Sequence, residues 1–251
     1  MDTQYFKQVQ ITHHYHSAGV TDKGCVRDHN EDAFLDLNQH AVWVVADGAG
    51  GHSSGDVASN MIVDQLATIK NKLALNEMTD EVIHCLSAVN SELIRLSGGE
   101  RTKKLIASTV CVLIIRQKKC VCLWSGDSRI YLYRNKKLTA LTRDHNRVDE
   151  FIAAGFSEEE AEKMPIAQQL VNAIGVQEPL NIEKCLYETK TDDVFLLCSD
   201  GLYKELTEKE IEAKLTGNMV EKNVQDLLTS TLNRGARDNT TALLVQVDEQ
   251  E

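Results

Sequence analysis

Apolar and polar positions along the chain fall into two kinds of pattern. Six short apolar runs, most of them rich in β-branched residues, recur at 41–46 (AVWVVA), 108–115 (STVCVLII), 119–125 (KCVCLWS), 129–134 (RIYLYR), 193–198 (DVFLLC) and 240–247 (TTALLVQV). Each has the length and composition of a buried strand. The third and fourth nearly abut around Gly126-Asp127-Ser128, a spacing that predicts a hairpin with a tight polar turn. Asn135, Lys136 and Lys137 predict an exposed hairpin turn. Two longer stretches repeat with the helical period. In 56–73 the stripe is Val57, Met61, Ile62, Leu66, Ile69 and Leu73; in 79–96 it is Val82, Cys85, Leu86, Val89, Leu93 and Leu96. Ser157 with Glu160, and Thr207 with Glu210, have the capping-box spacing that starts a helix.

Strands come in groups and so do helices, without regular βαβ alternation. That predicts an α+β fold with mainly antiparallel sheets. Segment 144–180 is polar, with weak helical patterns at VDEFIAAGF and SEEEAEKM. It reads either as a flap inserted between strands, over a site, or as a surface helix pair. With two prolines, Pro165 and Pro179, and no Pro- or Gly/Ser-rich linker, residues 1–251 read as a single domain.

Composition narrows the function. The formal net charge of −11 argues against nucleic acid as a partner, which would need a basic face. Seven cysteines, an odd number without a CxxC pair, read as free thiols in a reducing cytosol. The polar start MDTQYFKQVQ is no secretory leader. No apolar stretch approaches the roughly 18 residues of a membrane span.

The candidate chemistry lies in acids at strand ends. Asp47 follows one apolar run and precedes Gly48; Asp200 follows another and precedes Gly201. Asp127 sits at the predicted hairpin turn, Asp238 precedes the last run, and Glu31 and Asp32 end a polar one. Strand ends far apart in sequence can converge in space. Converging carboxylates repel one another and raise one another's pKa. A divalent cation removes that cost, and carboxylate and carbonyl oxygens suit Mg²⁺ or Mn²⁺. A glycine after the acid lets the chain turn sharply and bring a carbonyl to a metal, although Asp-Gly is also an ordinary turn. His13, His14 and His16 have no adjoining acid in sequence and read as a surface feature.

Taken in order, RDHNED, ADGAGGHSSGDVAS, GDSRIYLYR, CSDGL and RDNTTALLV resemble the protein phosphatase 2C family of metal-dependent serine/threonine phosphatases, in its bacterial branch. The resemblance runs from about residue 17 to 247. It implies a central sandwich of two antiparallel β-sheets flanked by helices, a four-layer α-β-β-α fold. It also implies two Mn²⁺ or Mg²⁺ ions and a third, weaker metal. By the family's pattern, Asp47 bridges both metals and Gly48 offers its carbonyl. Asp200 and Asp238 hold the first metal, and Asp127 joins Asp200 at the third. Glu31 and Asp32 hold metal-bound waters or lie near the second metal. Arg27 clamps the phosphate, so the catalytic roles fall to Arg27 and Asp47. A hydroxide between the cations is expected to attack phosphorus in line.

This sequence departs from eukaryotic-type members at Ala49, where those carry a histidine that is a candidate general acid. His52, three residues on, either approaches the phosphate or steadies the glycine loop. Arg129 reads as structural, its charge orienting Asp127. The expected protein is a cytoplasmic monomer acting on phosphoproteins, among them a Ser/Thr kinase and its substrates. The alternatives are a pseudophosphatase-like phosphoprotein-binding module and a same-fold phosphatase of an anti-sigma-factor antagonist.

Overall fold

The computed structural model describes residues 15–50, 54–70, 73–98, 105–216 and 219–248. Two antiparallel sheets pack face to face. The first contains β1 (Tyr15–Asp22), β7 (Arg129–Arg134), β8 (Lys137–Ala140), β10 (Val194–Cys198) and β11 (Thr240–Val247), in the order β1-β11-β10-β7-β8. The second contains β2 (Asp32–Leu37), β3 (Val42–Gly50), β5 (Val110–Arg116), β6 (Lys119–Ser125) and β9 (Glu183–Glu188), in the order β2-β3-β5-β6-β9. Short β4 (Ile106–Ser108) extends it by pairing with β3.

The central strands are apolar throughout because both of their faces are buried. In β3, Trp43 and Val45 point into the core between the sheets, among Leu113, Phe195, Leu197 and Leu243. Val42, Val44 and Ala46 point the other way, onto α1 (Gly55–Ala67) and α2 (Leu75–Leu96). The outer face of the first sheet packs Leu196, Ala242 and Leu244 against α5 (Asp200–Tyr203), α6 (Glu208–Lys214) and α7 (Val220–Asn233). Four layers, α-β-β-α, result.

The Gly126-Asp127-Ser128 segment is not a hairpin turn. β6 pairs with β5 and β9 in the second sheet, whereas β7 pairs with β10 and β8 in the first. The chain crosses between sheets here, with Gly126 at φ +110° and Thr109 Cβ only 2.6 Å from where a Cβ would stand. Two strands that abut in sequence need not share hydrogen bonds; β6 has its hairpin partner on the other side, in β5. The turn at Asn135 and Lys136 does join a hairpin, β7 to β8, and both residues have positive φ, as a type I′ turn requires.

Helix α1 stops at Ala67, short of the predicted 73, and Val57 in its first turn is 43% exposed rather than on the buried stripe. Helix α2 starts at Leu75, earlier than its apolar stripe suggests. The capping boxes of Ser157/Glu160 and Thr207/Glu210 open α4 (Glu158–Glu162) and α6 as expected. Residues 144–180 lie between β8 and β9 and carry α3 (Val148–Ala153) and α4. Bridges from Asn146 to Leu170 and from Ser108 to Ile174 tie this segment to itself and to β4. No helix among the described residues is long and apolar enough to cross a membrane.

Candidate metal centre

At one end of the sandwich, acids from both sheets meet. Asp32 opens β2 and stands directly opposite Asp47 of β3. Like charges so placed oppose strand pairing. Asp32 reaches across to the first sheet, where its Oδ2 accepts from Ser199 Oγ and Thr241 Oγ1, both at 2.7 Å. Asp200, the first residue of α5, follows β10; Asp238 precedes β11; Asp127 lies on the crossing between sheets. Glu31 closes the group: its Oε1 accepts from Gly55 N at 3.2 Å and its carbonyl from Gly48 N at 3.0 Å.

The charges feel one another. Half-buried Asp47 has its carboxyl held well above the ordinary range, first by burial, then by Asp32, Asp200, Asp127 and Asp238. Burial, with the charges of Asp200 and Asp238, pushes Asp32 up to about 7 despite its two hydroxyl donors. Burial and Asp200 push Asp127 up to about 7, against the pull of Lys204. Among the described residues, two cations oppose these six carboxylates. Lys204 Nζ pairs with Asp200 Oδ2, and Arg27 Nη2 donates to Asp238 Oδ2 at 2.7 Å. Charge balance at this end of the molecule is therefore incomplete.

The donor set fits a hard divalent cation. Asp32 Oδ1 and Asp200 Oδ1 are both buried without a hydrogen-bond partner, a costly state for a carboxylate oxygen. The available ligands are carboxylate and carbonyl oxygens, as Mg²⁺ and Mn²⁺ prefer. Among the described residues no three Asp, Glu, His or Cys side chains close into a ready-made cage. Lys204 on Asp200 and Arg27 on Asp238 hold two of these acids toward protein cations instead. Ligands that keep several waters, as Mg²⁺ requires, need not form a tight cage.

Glycine after Asp47 serves close packing, not the sharp turn expected. Strand β3 runs on through Gly48 to Gly50. A Cβ on Gly48 would stand 2.1 Å from Gly55 O, at the start of α1, and 2.7 Å from Glu31 O. Gly201 is likewise in α5, where a Cβ would meet Asn239 O at 1.9 Å.

Arg129 does not orient Asp127 through its charge. Its guanidinium pairs in two-pronged fashion with Asp144, both bonds 2.8 Å, and lies 3.7 Å above the Tyr203 ring. Tyr203 Oη then donates to Asp127 O at 3.0 Å, so Arg129 acts on the Asp127 backbone through an aromatic ring. His16 does have an acid partner: pairing of β1 with β11 brings Asp248 Oδ2 to 3.0 Å from His16 Nε2. His52 and His14 lie outside the described residues.

Three residues given no role by the sequence complete the scaffold. Asn239 accepts from Glu31 N at 2.8 Å and donates to the carbonyls of Lys23 and His29, both at 2.9 Å, clamping the loop that carries Arg27. Thr109 Oγ1 accepts from Asp47 N at 3.2 Å and bonds Ser128 Oγ at 2.7 Å, linking Asp47 to the crossing. Lys204, the third, is the cation on Asp200. A signal for Asn239 was available only in its place after Asp238; Thr109 and Lys204 had none.

A cleft of about 1230 Å³ opens beside the acids. Arg27, Asp238, Gly201 and Lys204 line it, as do Arg143, Asp149, Glu158 and Lys163 of the 144–180 region and its approach. Asp32, Asp47, Asp127 and Asp200 are not part of its wall. An anion entering the cleft would meet Arg27 at the edge of the acid cluster.

Comparison with known proteins accounts for this arrangement. Residues 26–246 match the family model described as protein phosphatase 2C. The serine/threonine phosphatase stp of Listeria monocytogenes is 34% identical over 242 residues, covering 93% of this chain and 96% of that protein. The structure of PppA, described as a key regulatory component of T6SS in Pseudomonas aeruginosa, superposes with a TM-score of 0.85 at 36% identity, over 94% of this chain and 99% of that one. The catalytic domain of PstP, solved with two manganese ions, superposes with a TM-score of 0.80 at 27% identity, over 95% of this chain and all of that one. With a matched family model across both sheets and an acid cluster where those sheets meet, the chain belongs to the protein phosphatase 2C family.

Proposed function

We propose that this chain is a protein serine/threonine phosphatase that hydrolyses phosphoserine and phosphothreonine monoesters with the help of divalent cations. The observation that carries this reading is the convergence of six carboxylates from five separate stretches of chain, opposed among the described residues by two protein cations. Asp47, Asp200 and Asp238 would hold two Mn²⁺ or Mg²⁺ ions, with Gly48 offering its carbonyl and Asp32 and Glu31 supporting bound water. Asp127 with Asp200 would hold a third. When bound, such ions supply positive charge and a nucleophilic water near neutral pH.

The chain's own groups supply the rest. Arg27 lines the cleft and gives one donor to Asp238. A guanidinium carries five N–H donors, so the remaining ones serve phosphoryl oxygens. Ala49 offers no acid for the leaving seryl or threonyl oxygen, so its proton comes from water. Residues of 144–180 line the cleft and would contact the polypeptide around the phosphorylated residue. A cytoplasmic monomer that opposes a Ser/Thr kinase fits this reading.

The test is Mn²⁺-dependent hydrolysis of a phosphothreonine peptide by wild type, Asp200→Asn and Asp238→Asn. Activity should vanish in EDTA and fall on the order of a hundredfold or more in each variant, as when one transition-state charge contact is lost. Full activity in EDTA or in either variant rejects the metal-dependent mechanism. Phosphopeptide binding without turnover in the wild type would indicate a binding module instead.

A further inference from the structure

Away from the acid cluster, β6 and β9 place two cysteines directly opposite each other. Cys122 and Cys185 are register partners in an antiparallel pair. Such partners have Cα atoms about 4.5 or 5.5 Å apart, depending on the hydrogen-bonding of the pair. Both values fall within the roughly 4.4–6.8 Å that a disulfide spans. The Cβ atoms of opposed residues stand about 4.5–5.5 Å apart, against about 3.5–4.5 Å in a disulfide. An approach of about an ångström is needed, and β9 ends its sheet with one neighbour, so it can make that approach.

The two thiols already interact through their side chains. They differ in access: Cys122 is fully buried, whereas Cys185 is half-buried and donates to Leu141 O at 3.5 Å. Hydrogen bonding from Cys122, more than any other contact, holds the Cys185 thiol below its ordinary range, which favours the reactive thiolate. Elsewhere a neighbouring thiol and access do not coincide. Cys111 and Cys198 lie near each other but both are fully buried. Cys25 is exposed, and its Sγ contacts a carbonyl rather than a thiol.

We propose that Cys122 and Cys185 form a reversible cross-strand disulfide when the protein meets a peroxide. The Cys185 thiolate attacks one peroxide oxygen; the O–O bond breaks, and the leaving hydroxide takes a proton to become water. Cys185 is then a sulfenic acid. The sulfur of Cys122 attacks the sulfur of Cys185, the S–O bond breaks, and hydroxide leaves with the Cys122 proton as a second water. Two thiols lose two electrons and two protons, and one peroxide is reduced to two waters. Cys120, two residues along on the same face of β6, also lies beside Cys122 and is the competing partner.

The bond would close residues 123–184 into a loop. That loop contains Asp127, the crossing between sheets and all of 144–180, so the oxidised protein has this cleft-lining segment closed off by a covalent link between β6 and β9.

The experiment is titration of the full chain with hydrogen peroxide, followed by thiol counting and peptide mapping without reductant. Wild type should fall from seven free thiols to five. It should yield one linked peptide pair joining 122 and 185, lighter by two hydrogens and restored by dithiothreitol. Cys185→Ser, at a half-buried edge position, should fold normally and abolish the link; Cys120→Ala should keep it. Retention of all seven thiols in the wild type, a link between 120 and 122, or irreversible over-oxidation without a link would each overturn the proposal.

Discussion

Arg27 Nη2 donates to Asp238 Oδ2 at 2.7 Å, joining residues 211 positions apart. The expected phosphate clamp and an expected metal ligand are thus one hydrogen-bonded unit at the cleft edge. The pair is about half exposed, so solvent screening limits what it adds to stability. Its value lies in positioning. Arg27→Ala should raise KM for a phosphopeptide on the order of tenfold, about 1.4 kcal/mol, with kcat changed less. Steady-state kinetics decide it: an unchanged KM with a collapsed kcat would give Arg27 a transition-state role.

Lys204 carries the second protein charge in the cluster. It pairs with Asp200 and lies within reach of Asp127 and Asp47. A divalent cation at Asp200 must share that carboxylate or displace the lysine. Lys204→Gln should therefore bind Mn²⁺ severalfold more tightly by calorimetry, while its metal-free form melts lower. Equal or weaker Mn²⁺ binding would show that Lys204 does not compete.

The same acids make stability depend on pH. Asp32 and Asp127 rise from 3.8 to about 7 on folding. The native metal-free protein therefore holds protons that the unfolded chain releases near pH 4. Stability from these groups is fully present below about pH 4 and is lost as pH rises through 7. Mn²⁺ binds the ionised carboxylates and so offsets that loss. Thermal melts should show a larger gain from Mn²⁺ at pH 7.5 than at pH 5, and equal gains at both would contradict the shifts.

Gly48 tests the packing account. A Cβ there meets Gly55 O at 2.1 Å, backbone against backbone, so no side chain can yield. Gly48→Ala should cost about 3 kcal/mol or more in urea unfolding. Gly155 is the control, at φ +102° with no atom near its would-be Cβ. Gly155→Ala carries only the backbone strain of a positive φ, about 1–2 kcal/mol.

Most of the acid cluster was legible because four of its members sit beside runs apolar enough to read as strands, whereas Glu31 and Asp32 end a polar run. Asp47, Asp200 and Asp238 all flank such runs. Strands β8 and β9 were not legible, being short or outward-facing at sheet edges, where KLTA and EKCLYE alternate polar and apolar too briefly to stand out. Strand β1 keeps a polar face for the same reason. The sheet change at Gly126 was misread because abutting strands imply a hairpin unless their other partners are known. Lys204 was invisible for a different reason: a lysine one helical turn after an aspartate is ordinary, and only the buried surroundings of Asp200 make this one matter.

Strand β1 lies against β11, the last strand among the described residues, and Asp32 takes its hydroxyl donors from Ser199 and Thr241. The site therefore draws on segments far apart in the chain. Residues up to the end of β10 include Asp32 and Asp47, register partners in β2 and β3, but neither Thr241 nor Asp238. Without β11 the acid pair lacks the Thr241 hydroxyl that donates to Asp32. A single break between β10 and Asp238 would therefore remove an acid and the Thr241 hydroxyl together.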